Sequence, residues 1–514
     1  MMSRNIALAM ICTTASALAV AQKVAPRGTV ISQGGAGGAS SGAGGRGATS
    51  DARVSADGPN AAPAPSSDGG ARDSASAAGT APTRDGPPDD GSVALLPGEV
   101  LPAGGYIAEQ AAIFDDRLFR TFALTISDAD LAKMADTAYR YFNTPRENEV
   151  VPAMLKIDNQ DVGRVGVRYK GSWGTLRPCF DSTGKLTCPK VSICIKFNAF
   201  EPDKRWRGIN DLNLHSLIGD GAMLRERLAY QIFRRMDIPA PRSVHGRVSI
   251  NGTFKGVYAV TEEIDGRFTS DRWPRLVDGH LIKEAWIANS TEKSYLDALR
   301  TNELMPRQPL KIWQLSQAVR AAPNPAEVAR VLDRWMSLEY LWRYMAVEVA
   351  IADIDGITRF SCDAATGMYC GNHNYYMYEA EREDRIWLVP WDLDLTFWTR
   401  SEFDAVTPWD KPQADCTQRW MAWGSKTMAP ACDTFFRGLV AAGRPGYLAA
   451  VNRLLDGPFQ VAAMQADLDR WAAQIDAAVR MDPGLMDGYS GWRNELMLFR
   501  ASLVMHRQRM EAIR

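Results

Sequence analysis

Residues 217–263 read LIGDGAMLRERLAYQIFRRMDIPAPRSVHGRVSINGTFKGVYAVTEE, a helical pattern followed by a hairpin pattern. In residues 217–236 an apolar side chain recurs at every fourth position and charged residues occupy the other faces. This spacing is typical of an amphipathic helix. Pro239 and Pro241 end the helix, because proline lacks the backbone N–H and fixes φ.

A β-hairpin pattern follows the helix. Residues 244–250 and 256–261 are strand-like and flank Asn251-Gly252, a dipeptide that favours a tight turn because both residues adopt positive φ at low cost. Upstream segments have strand composition as well, with a two-residue alternation clearest in the third: residues 119–126, 151–157, 163–169 and 191–197. Residues 127–141 predict a helix that Ser127 caps.

The second half of the chain has a different pattern. Beyond about Pro323 the apolar residues follow a helical period over four long segments: residues 325–351, 435–455, 459–479 and 492–513. A β-rich first half followed by a helix-rich second half predicts an α+β protein.

The strongest chemical signal lies within the second half, between the helical segments 325–351 and 435–455. It consists of DIDG at 353–356, NYY at 374–376 and PWDLD at 390–394, all set in apolar and aromatic sequence. Buried carboxylates are costly unless another group neutralises their charge. A hard divalent cation with oxygen ligands would do so, and a bound phosphate would accompany it.

Composition sets the outer limits of function. The chain has 514 residues, of which 46% are hydrophobic and 23% charged, so most of it can build a core. The formal net charge is −1, which gives no global field toward nucleic acid or anionic lipid. We therefore expect no nucleic-acid partner.

The first residues have the features of a secretory signal. Arg4 provides the positive charge, residues 6–20 are apolar, and Ala19-Val20-Ala21 is a small-residue cleavage motif. The apolar run is too short to predict a transmembrane span. Residues 1–21 therefore predict export, which makes the mature protein secreted, periplasmic or attached to the cell surface.

A linker is expected between the signal and the folded part. Residues 22–105 are rich in Gly, Ala, Ser and Pro and contain almost no large apolar side chains. Such a segment cannot bury enough surface to offset its conformational entropy, so we predict a disordered tether. The folded domain is expected over residues 106–514.

The cysteines are consistent with an exported protein. Disulfides persist outside the cytosol, and local spacing suggests three pairs: Cys179–Cys188, Cys362–Cys370 and Cys416–Cys432. Cys194 is left over, and the sequence leaves the connectivity open. No CxxC spacing is present, which disfavours a zinc site.

Several motifs in one order resemble the CotH family of atypical kinases, named for a bacterial spore coat protein. The sequence carries LNLHS, LRERLAYQIFRRMDIPAPR and SINGTFKGVYAVTEEID within residues 212–268, then HNYYMY at 373–378 and VPWDLDLTFW at 389–398. Upstream, VRYKGSW at 167–173 and SICIKFN at 192–198 resemble the paired early strands of the family.

The resemblance implies a divergent bilobal protein-kinase-like fold. A β-rich N-lobe, about 115–268, and a helical C-lobe, about 269–514, would clasp ATP and Mg²⁺ or Mn²⁺. Members of the family resemble exported enzymes that phosphorylate serine on extracytoplasmic proteins, so the implied partner is an extracytoplasmic protein substrate.

The resemblance also implies residues that bind ATP. Lys196 matches the family lysine in its strand and would contact the α- and β-phosphates; the alternative is an edge-strand lysine that points to water. Glu226 matches the LRE motif and would pair with Lys196. Glu262 and Glu263 follow the strand GVYAVT and resemble the segment that meets adenine with its backbone.

A flexible turn is a further candidate for phosphate contact. Arg168 and Lys170 precede Gly171-Ser172, and this turn would lie over the phosphates. The resemblance predicts an arginine beside the glycine, where this chain has Lys170.

The carboxylate segment would supply the catalytic and metal residues. Asp355 would orient or deprotonate the substrate hydroxyl, and Asp353 is the alternative because either aligns with the family aspartate. Asp392 would be the main metal ligand and Asn374 a ligand through its amide oxygen. Asp394 would be a second ligand or an acceptor that supports the first.

Two other functions remain open at this point. One is a binding or adhesin module on the same fold that has no turnover. The other is an enzyme of carbohydrate or cell-wall metabolism that uses paired carboxylates as acid and base. The second is disfavoured because it leaves Lys196 and Asn374 without a role.

Overall fold

The computed structural model describes residues 108–514 except 143–148, 173, 275, 277–278, 305, 307, 364–365 and 381. The predicted export signal at 1–21 and the predicted linker at 22–105 lie outside the described residues. The described part combines helices with three β-sheets, so the α+β class is confirmed.

The first sheet of the described chain closes into a barrel in the order β1-β2-β3-β4-β5-β7-β6. β1 and β6 are parallel, and every other neighbouring pair in the barrel is antiparallel. The strands are Arg120–Thr125 (β1), Val151–Ile157 (β2), Gln160–Lys170 (β3), Ser192–Lys196 (β4), Asp211–His215 (β5), Ser243–Ile250 (β6) and Thr253–Glu262 (β7). The six strand segments predicted from sequence are confirmed, and β5 is an addition.

The barrel strands have two chemically different faces. One face contributes to a single apolar cluster that draws on all seven strands, as the two-residue period of a strand requires. The other face of β3, β4, β5 and β7 is polar: Arg168, Lys170, Ser192, Lys196, Asp211, Asn213, His215 and Thr261. This polar face is where the candidate site begins.

The described residues also form twelve α-helices. They are Ala108–Ala111 (α1), Asp128–Tyr141 (α2), Arg225–Arg235 (α3), Gly266–Arg272 (α4), Glu292–Asp297 (α5), Lys311–Ala321 (α6), Pro325–Met336 (α7), Leu338–Ala350 (α8), Thr434–Ala442 (α9), Arg444–Asp456 (α10), Val461–Val479 (α11) and Gly488–Ile513 (α12). Ser127 caps α2 as predicted, accepting from the Asp130 N–H. Most of the buried apolar side chains of α3 and of α6–α12 pack into one large apolar cluster.

Helix α3 is shorter and more buried than its pattern predicted. It begins at Arg225 rather than at residue 217, because Leu217 and Met223 have positive φ and Asp220 accepts the Arg225 N–H at 2.7 Å. Glu226, which the pattern places off the apolar row, is only 1% exposed. The helix therefore presents polar groups to the interior and not only to solvent.

Two smaller sheets follow the barrel. β8 (His280–Lys283), β10 (Tyr375–Glu379) and β11 (Ile386–Pro390) form one in the order β11-β10-β8, and β9 (Phe360–Ser361), β12 (Trp420–Ala422) and β13 (Ser425–Met428) form the other. β10 begins directly after Asn374, and β11 ends two residues before Asp392. The first of these sheets therefore positions the predicted metal ligands.

The three predicted disulfides are present: Cys179–Cys188, Cys362–Cys370 and Cys416–Cys432. Cys194 is unpaired and buried in β4. In the described ranges no helix is both long enough and apolar enough to cross a membrane.

Candidate functional site

A large cavity lies against the polar face of the barrel. Its volume is about 3020 Å³, and its wall includes side chains from β3, β4 and β5, the start of α3, the end of β8 and the segment after β11. Most of the residues predicted to bind ATP or metal line this cavity: Arg168, Lys170, Ser172, Lys196, Glu226, Asp392 and Asp394.

The lysines of the barrel wall already have polar partners. Lys196 Nζ lies 2.8 Å from Asp211 Oδ2 on the neighbouring strand. Lys170 Nζ donates to Asn213 Oδ1 at 2.6 Å and lies 3.4 Å from Glu263 Oε2. Burial lowers the pKa of Lys196, but the attraction of Asp211 outweighs it and the pKa rises. The ammonium group of Lys196 therefore stays charged on the cavity wall.

The predicted pairing of Lys196 with Glu226 is wrong. Glu226 instead lies with both oxygens 3.0 Å from His215 Nδ1, and Thr261 Oγ1 donates to it at 2.7 Å. Burial opposes ionisation of Glu226, but His215 and Thr261 outweigh burial and lower its pKa. The helix glutamate is thus tied to β5 and β7 and not to the lysine of β4.

The turn at Gly171-Ser172 lines the cavity as predicted. Ser172 accepts backbone hydrogen bonds from three following residues through its carbonyl oxygen, which folds the chain back on itself. Gly171 has φ +149°, and a β-carbon there would lie 2.6 Å from the Leu176 β-carbon, so the turn needs glycine. The Cys179–Cys188 disulfide closes the same loop on the cavity wall.

The side chain of Glu262 does not line the cavity, and the predicted contact of its backbone with adenine stays a prediction. Its carboxylate is 5% exposed and lies 2.6 Å from both Arg242 Nη2 and Arg272 Nη2. Burial opposes its charge, but the two guanidinium groups outweigh burial and lower its pKa to about 2. Its neighbour Glu263 lines the cavity, because consecutive strand residues point to opposite faces.

Asp392 and Asp394 bring two carboxylates together on the cavity wall. Asp392 has a left-handed φ of +57° and donates its backbone N–H to Tyr230 Oη at 3.0 Å. Burial, then the charge of Glu226, raises the pKa of Asp392, while His215 and Lys283 oppose the rise. Burial and the nearby charge of Asp392 raise the pKa of Asp394 well above its usual value. The neighbouring positive groups therefore do not fully compensate the negative charges of this pair.

This pair fits a divalent cation by its chemistry. Carboxylate oxygens are the ligands that Mg²⁺ takes, usually one or two from protein with the rest from water and phosphate. No group of three or more His, Cys, Asp or Glu with metal-site geometry occurs in the described residues. A cation held by these two carboxylates would therefore need further oxygens, such as those of water or phosphate.

Asp355 and Asn374 contact each other, but neither lines the cavity, although the neighbouring Ile354 and Glu284 do. Asn374 Nδ2 donates to Asp355 Oδ2 at 2.9 Å and to the Asp355 carbonyl oxygen at 3.0 Å. His373 Nε2 lies 2.6 Å from the other carboxylate oxygen, Oδ1. Burial disfavours the charged imidazole, but Asp355 outweighs burial and raises the pKa of His373 to about 9.

Asp353 is turned away from the cavity. It is 2% exposed, and its Oδ1 accepts the Asp355 N–H at 2.9 Å. Burial raises its pKa to about 7. Of the two candidate aspartates, Asp353 thus holds the turn and Asp355 carries the more exposed carboxylate.

Sequence reasoning gave no role to several residues of the cavity wall, among them His215, Lys283 and Glu284. Lys283 ends β8 and is paired with Tyr376 of β10. Glu284 Oε1 accepts the Asn374 N–H at 3.2 Å. The short strand-like run HLIK was the available signal, but its position beside β10 depends on strand pairing that sequence does not reveal.

Comparisons with known proteins agree with these motifs. A family model described as CotH kinase protein matches residues 167–501, more than half of the chain. Inner spore coat protein H of Bacillus subtilis is 22% identical over 265 residues, which cover 49% of this chain and 63% of that protein. The chain thus spans less than two thirds of that relative.

A solved structure also matches. The Helicobacter pylori proinflammatory kinase CtkA aligns with 63% of this chain and 92% of its own length, at 10% identity and a TM-score of 0.29. A score at this level supports no conclusion about the fold.

Proposed function

The chain belongs to the CotH kinase family, and on that premise we propose that it is an exported atypical protein kinase. It transfers the γ-phosphate of ATP to serine or threonine of extracytoplasmic proteins with the help of Mg²⁺ or Mn²⁺. The observation that carries the proposal is the charge-deficient pair Asp392 and Asp394 on the wall of a cavity whose barrel face carries cations.

We extend the proposal to the architecture and location. Residues 106–514 form the kinase-like domain, with an N-lobe at about 115–268 and a C-lobe at about 269–514, after a linker at 22–105. Export over residues 1–21 is supported by three disulfides, because such bonds persist in oxidising compartments.

Phosphoryl transfer requires mainly positioning and charge neutralisation. Arg168, Lys170 and Lys196 would bind the phosphates from the barrel wall, with Ser172 in the turn over them. Asp392 and Asp394 would hold the divalent cation, which when bound neutralises the charge that develops on the transferred group. Asn374 Oδ1 is the atom left for the same cation, since Nδ2 donates to Asp355.

Asp355 would receive the proton of the acceptor hydroxyl. As that oxygen bonds to the γ-phosphorus, the bond from phosphorus to the bridging oxygen of ADP breaks. His373 and Asn374 hold one carboxylate oxygen each, which fixes the orientation of Asp355. The burial of Asp353 supports Asp355 over Asp353 in this role.

A binding module without turnover is the second candidate. It is favoured by one observation: Asp355 and Asn374 do not belong to the cavity wall. This candidate predicts nucleotide or protein binding with no phosphate transfer.

The decisive test is phosphate incorporation from labelled ATP with Mg²⁺ or Mn²⁺ into a mixture of extracytoplasmic proteins. Asp392→Asn is expected to lower incorporation by at least about a hundredfold, because it removes a metal-binding charge. Asp456→Asn, in an exposed pair with Arg514, is the control and should change nothing. Folding is checked by the melting temperature of each variant.

Two outcomes contradict parts of the proposal. Wild-type protein that shows a nucleotide-dependent rise in melting temperature but no incorporation is a binding module. Equal incorporation by wild type and Asp392→Asn removes Asp392 from the metal site.

A further inference from the structure

Three lysines line the cavity in the described chain, and they differ in how their charge is compensated: Lys170, Lys196 and Lys283. Lys196 is in contact with Asp211, and Lys170 is bonded to Asn213 and approached by Glu263. The nearest carboxylate oxygen to Lys283 Nζ is Glu284 Oε1 at 3.9 Å, which is beyond hydrogen-bond distance.

The surroundings of Lys283 are aromatic. Its Nζ lies 5.5 Å from the Tyr376 ring centroid and 6.0 Å from that of Trp391, and its side chain is 26% exposed. Ring faces attract a cation but cannot accept hydrogen bonds from its N–H groups as an oxygen does. The ammonium group thus keeps donors for a ligand in the cavity.

The charge of Lys283 is maintained despite its burial. Burial lowers the pKa of the ammonium group, but Tyr376, Glu284 and Asp392 outweigh burial and raise it. Trp391, whose ring centroid lies 6.0 Å from Lys283 Nζ, directly precedes Asp392, and all three residues line the cavity. A cation beside Asp392 with donors to spare is placed where phosphate and metal would meet.

We propose, on the basis of the kinase function above, that Lys283 binds a phosphate oxygen of the nucleotide beside Asp392. Its partner is the α- or β-phosphate of a nucleoside diphosphate or triphosphate. Lys196 already donates one hydrogen bond to Asp211, whereas Lys283 donates none to a carboxylate. A phosphate oxygen would supply the acceptor that the aromatic rings do not.

The test compares ADP with adenosine, because only ADP carries phosphates. Calorimetry in EDTA measures both affinities for the full chain without metal. Lys283→Met is expected to weaken ADP roughly ten- to hundredfold, as for the loss of one charge-assisted hydrogen bond, and to leave adenosine within about twofold. Lys283→Arg should retain most of the ADP affinity.

Controls separate folding from binding. Lys293→Met, an exposed lysine of α5 outside the cavity wall, should change neither affinity. If Lys283→Met does not fold, Lys283→Gln with an unchanged melting temperature replaces it.

The outcomes are distinct for the two proposals. Wild-type protein that binds ADP while Lys283→Met or Lys283→Gln binds it equally well overturns the role of Lys283 alone. An equal loss of ADP and adenosine affinity also overturns it, since Lys283 would then only shape the cavity. Wild-type protein that binds neither ligand overturns the nucleotide site itself and the inference with it.

Discussion

The buried carboxylate of Glu262 is expected to contribute strongly to the stability of the folded protein. It lies between two arginines, Arg242 and Arg272, that are 3% and 1% exposed. Glu262→Gln would leave two buried guanidinium charges with a neutral partner, so we expect a loss of about 3–5 kcal/mol in the free energy of unfolding. Urea unfolding at pH 7 measures it. Glu511→Gln, in an exposed pair with Arg507, should change stability by less than about 0.5 kcal/mol.

The pH dependence of the same residue has a definite sign. The pKa of Glu262 is about 2 in the folded protein, whereas the usual value for a glutamate is 4.5. The unfolded chain therefore binds the proton first as pH falls, and the stability that Glu262 contributes is full above pH 4.5 and is lost toward pH 2. A variant Glu262→Gln that loses stability in acid as steeply as the wild type would contradict this assignment.

For single residues, the sequence indicates which side chains carry the chemistry better than it indicates which groups they contact. The carboxylates at 392 and 394 stand out because an apolar, aromatic setting makes their charge costly. The choice between Glu262 and Glu263 was not available, because strand alternation shows that the two face opposite ways but not which way each faces. Likewise, the contact of Lys196 with Asp211 depends on the register of β4 and β5.

A buried acid pair joins the last turn of α8 to the connection that leads to β9. Asp353 and Glu348 are each 2% exposed, and a β-carbon on Gly356 would lie 2.4 Å from Asp353 Oδ2 and 2.5 Å from Glu348 Oε1. Burial and the mutual repulsion of the two acids raise the pKa of Glu348 well above its usual value, while burial raises that of Asp353 to about 7. The positive Arg359 lies nearby and opposes the rise of both pKa values.

This pair predicts stability that falls as pH rises. The unfolded chain releases the Asp353 proton near pH 3.8, while the folded protein keeps it to about pH 7. Across that window the free energy of unfolding should fall by up to about 1.4 kcal/mol per pH unit for this group. Asp353→Asn keeps an acceptor for the Asp355 N–H and should flatten the decrease, so that the variant is the more stable protein at pH 8.

Urea midpoints between pH 4 and pH 8 measure this effect. The groups that face the pair are Arg359, Asp355, His373 and Tyr344, and none of them is altered in the variant. Asp203→Asn on the exposed surface is the control and should keep the wild-type slope. A slope that persists in Asp353→Asn would assign the proton to another group.

The sequence predicts the presence of helices better than the residues at which they begin and end. Residues 325–351 and 435–455 each have one continuous helical period, yet each forms two helices. The breaks lie at Ser337 and Gly443, where φ is +61° and +95°. Apolar periodicity continues through such a turn because both helices pack on the same core. Only Gly443 carries a local signal of the break, since glycine adopts positive φ freely.

For the whole molecule, the sequence patterns predict the α+β fold class but not the closure of the first sheet into a barrel. The change from a two-residue to a helical period predicts α+β, and this is confirmed. The closed barrel depends on the parallel contact of β1 with β6, which are more than a hundred residues apart. No local pattern encodes such a pairing, because its energy comes from the apolar cluster that all seven strands share.

A buried ion pair joins the barrel region to the helices near the end of the chain. Lys190, just before β4, lies 2.9 Å from Asp482, which follows α11, and the two side chains are 1% and 0% exposed. Asp482 also accepts the Val257 N–H of β7 at 2.6 Å. Burial lowers the pKa of Lys190 against the attraction of Asp482, so removing the carboxylate would leave an ammonium group that burial disfavours.

We expect Lys190→Met and Asp482→Asn each to lower the free energy of unfolding by about 3–5 kcal/mol, because each leaves the other charge buried without its partner. The double variant should cost about 1–3 kcal/mol less than the sum of the single losses, since no unpaired charge then remains. Urea unfolding of the four proteins measures this coupling, and the exposed pair Lys293 and Asp297 provides a matched cycle with coupling below about 0.5 kcal/mol. Strict additivity at Lys190 and Asp482 would mean that the barrel and the last helices are held together by apolar packing and not by this pair.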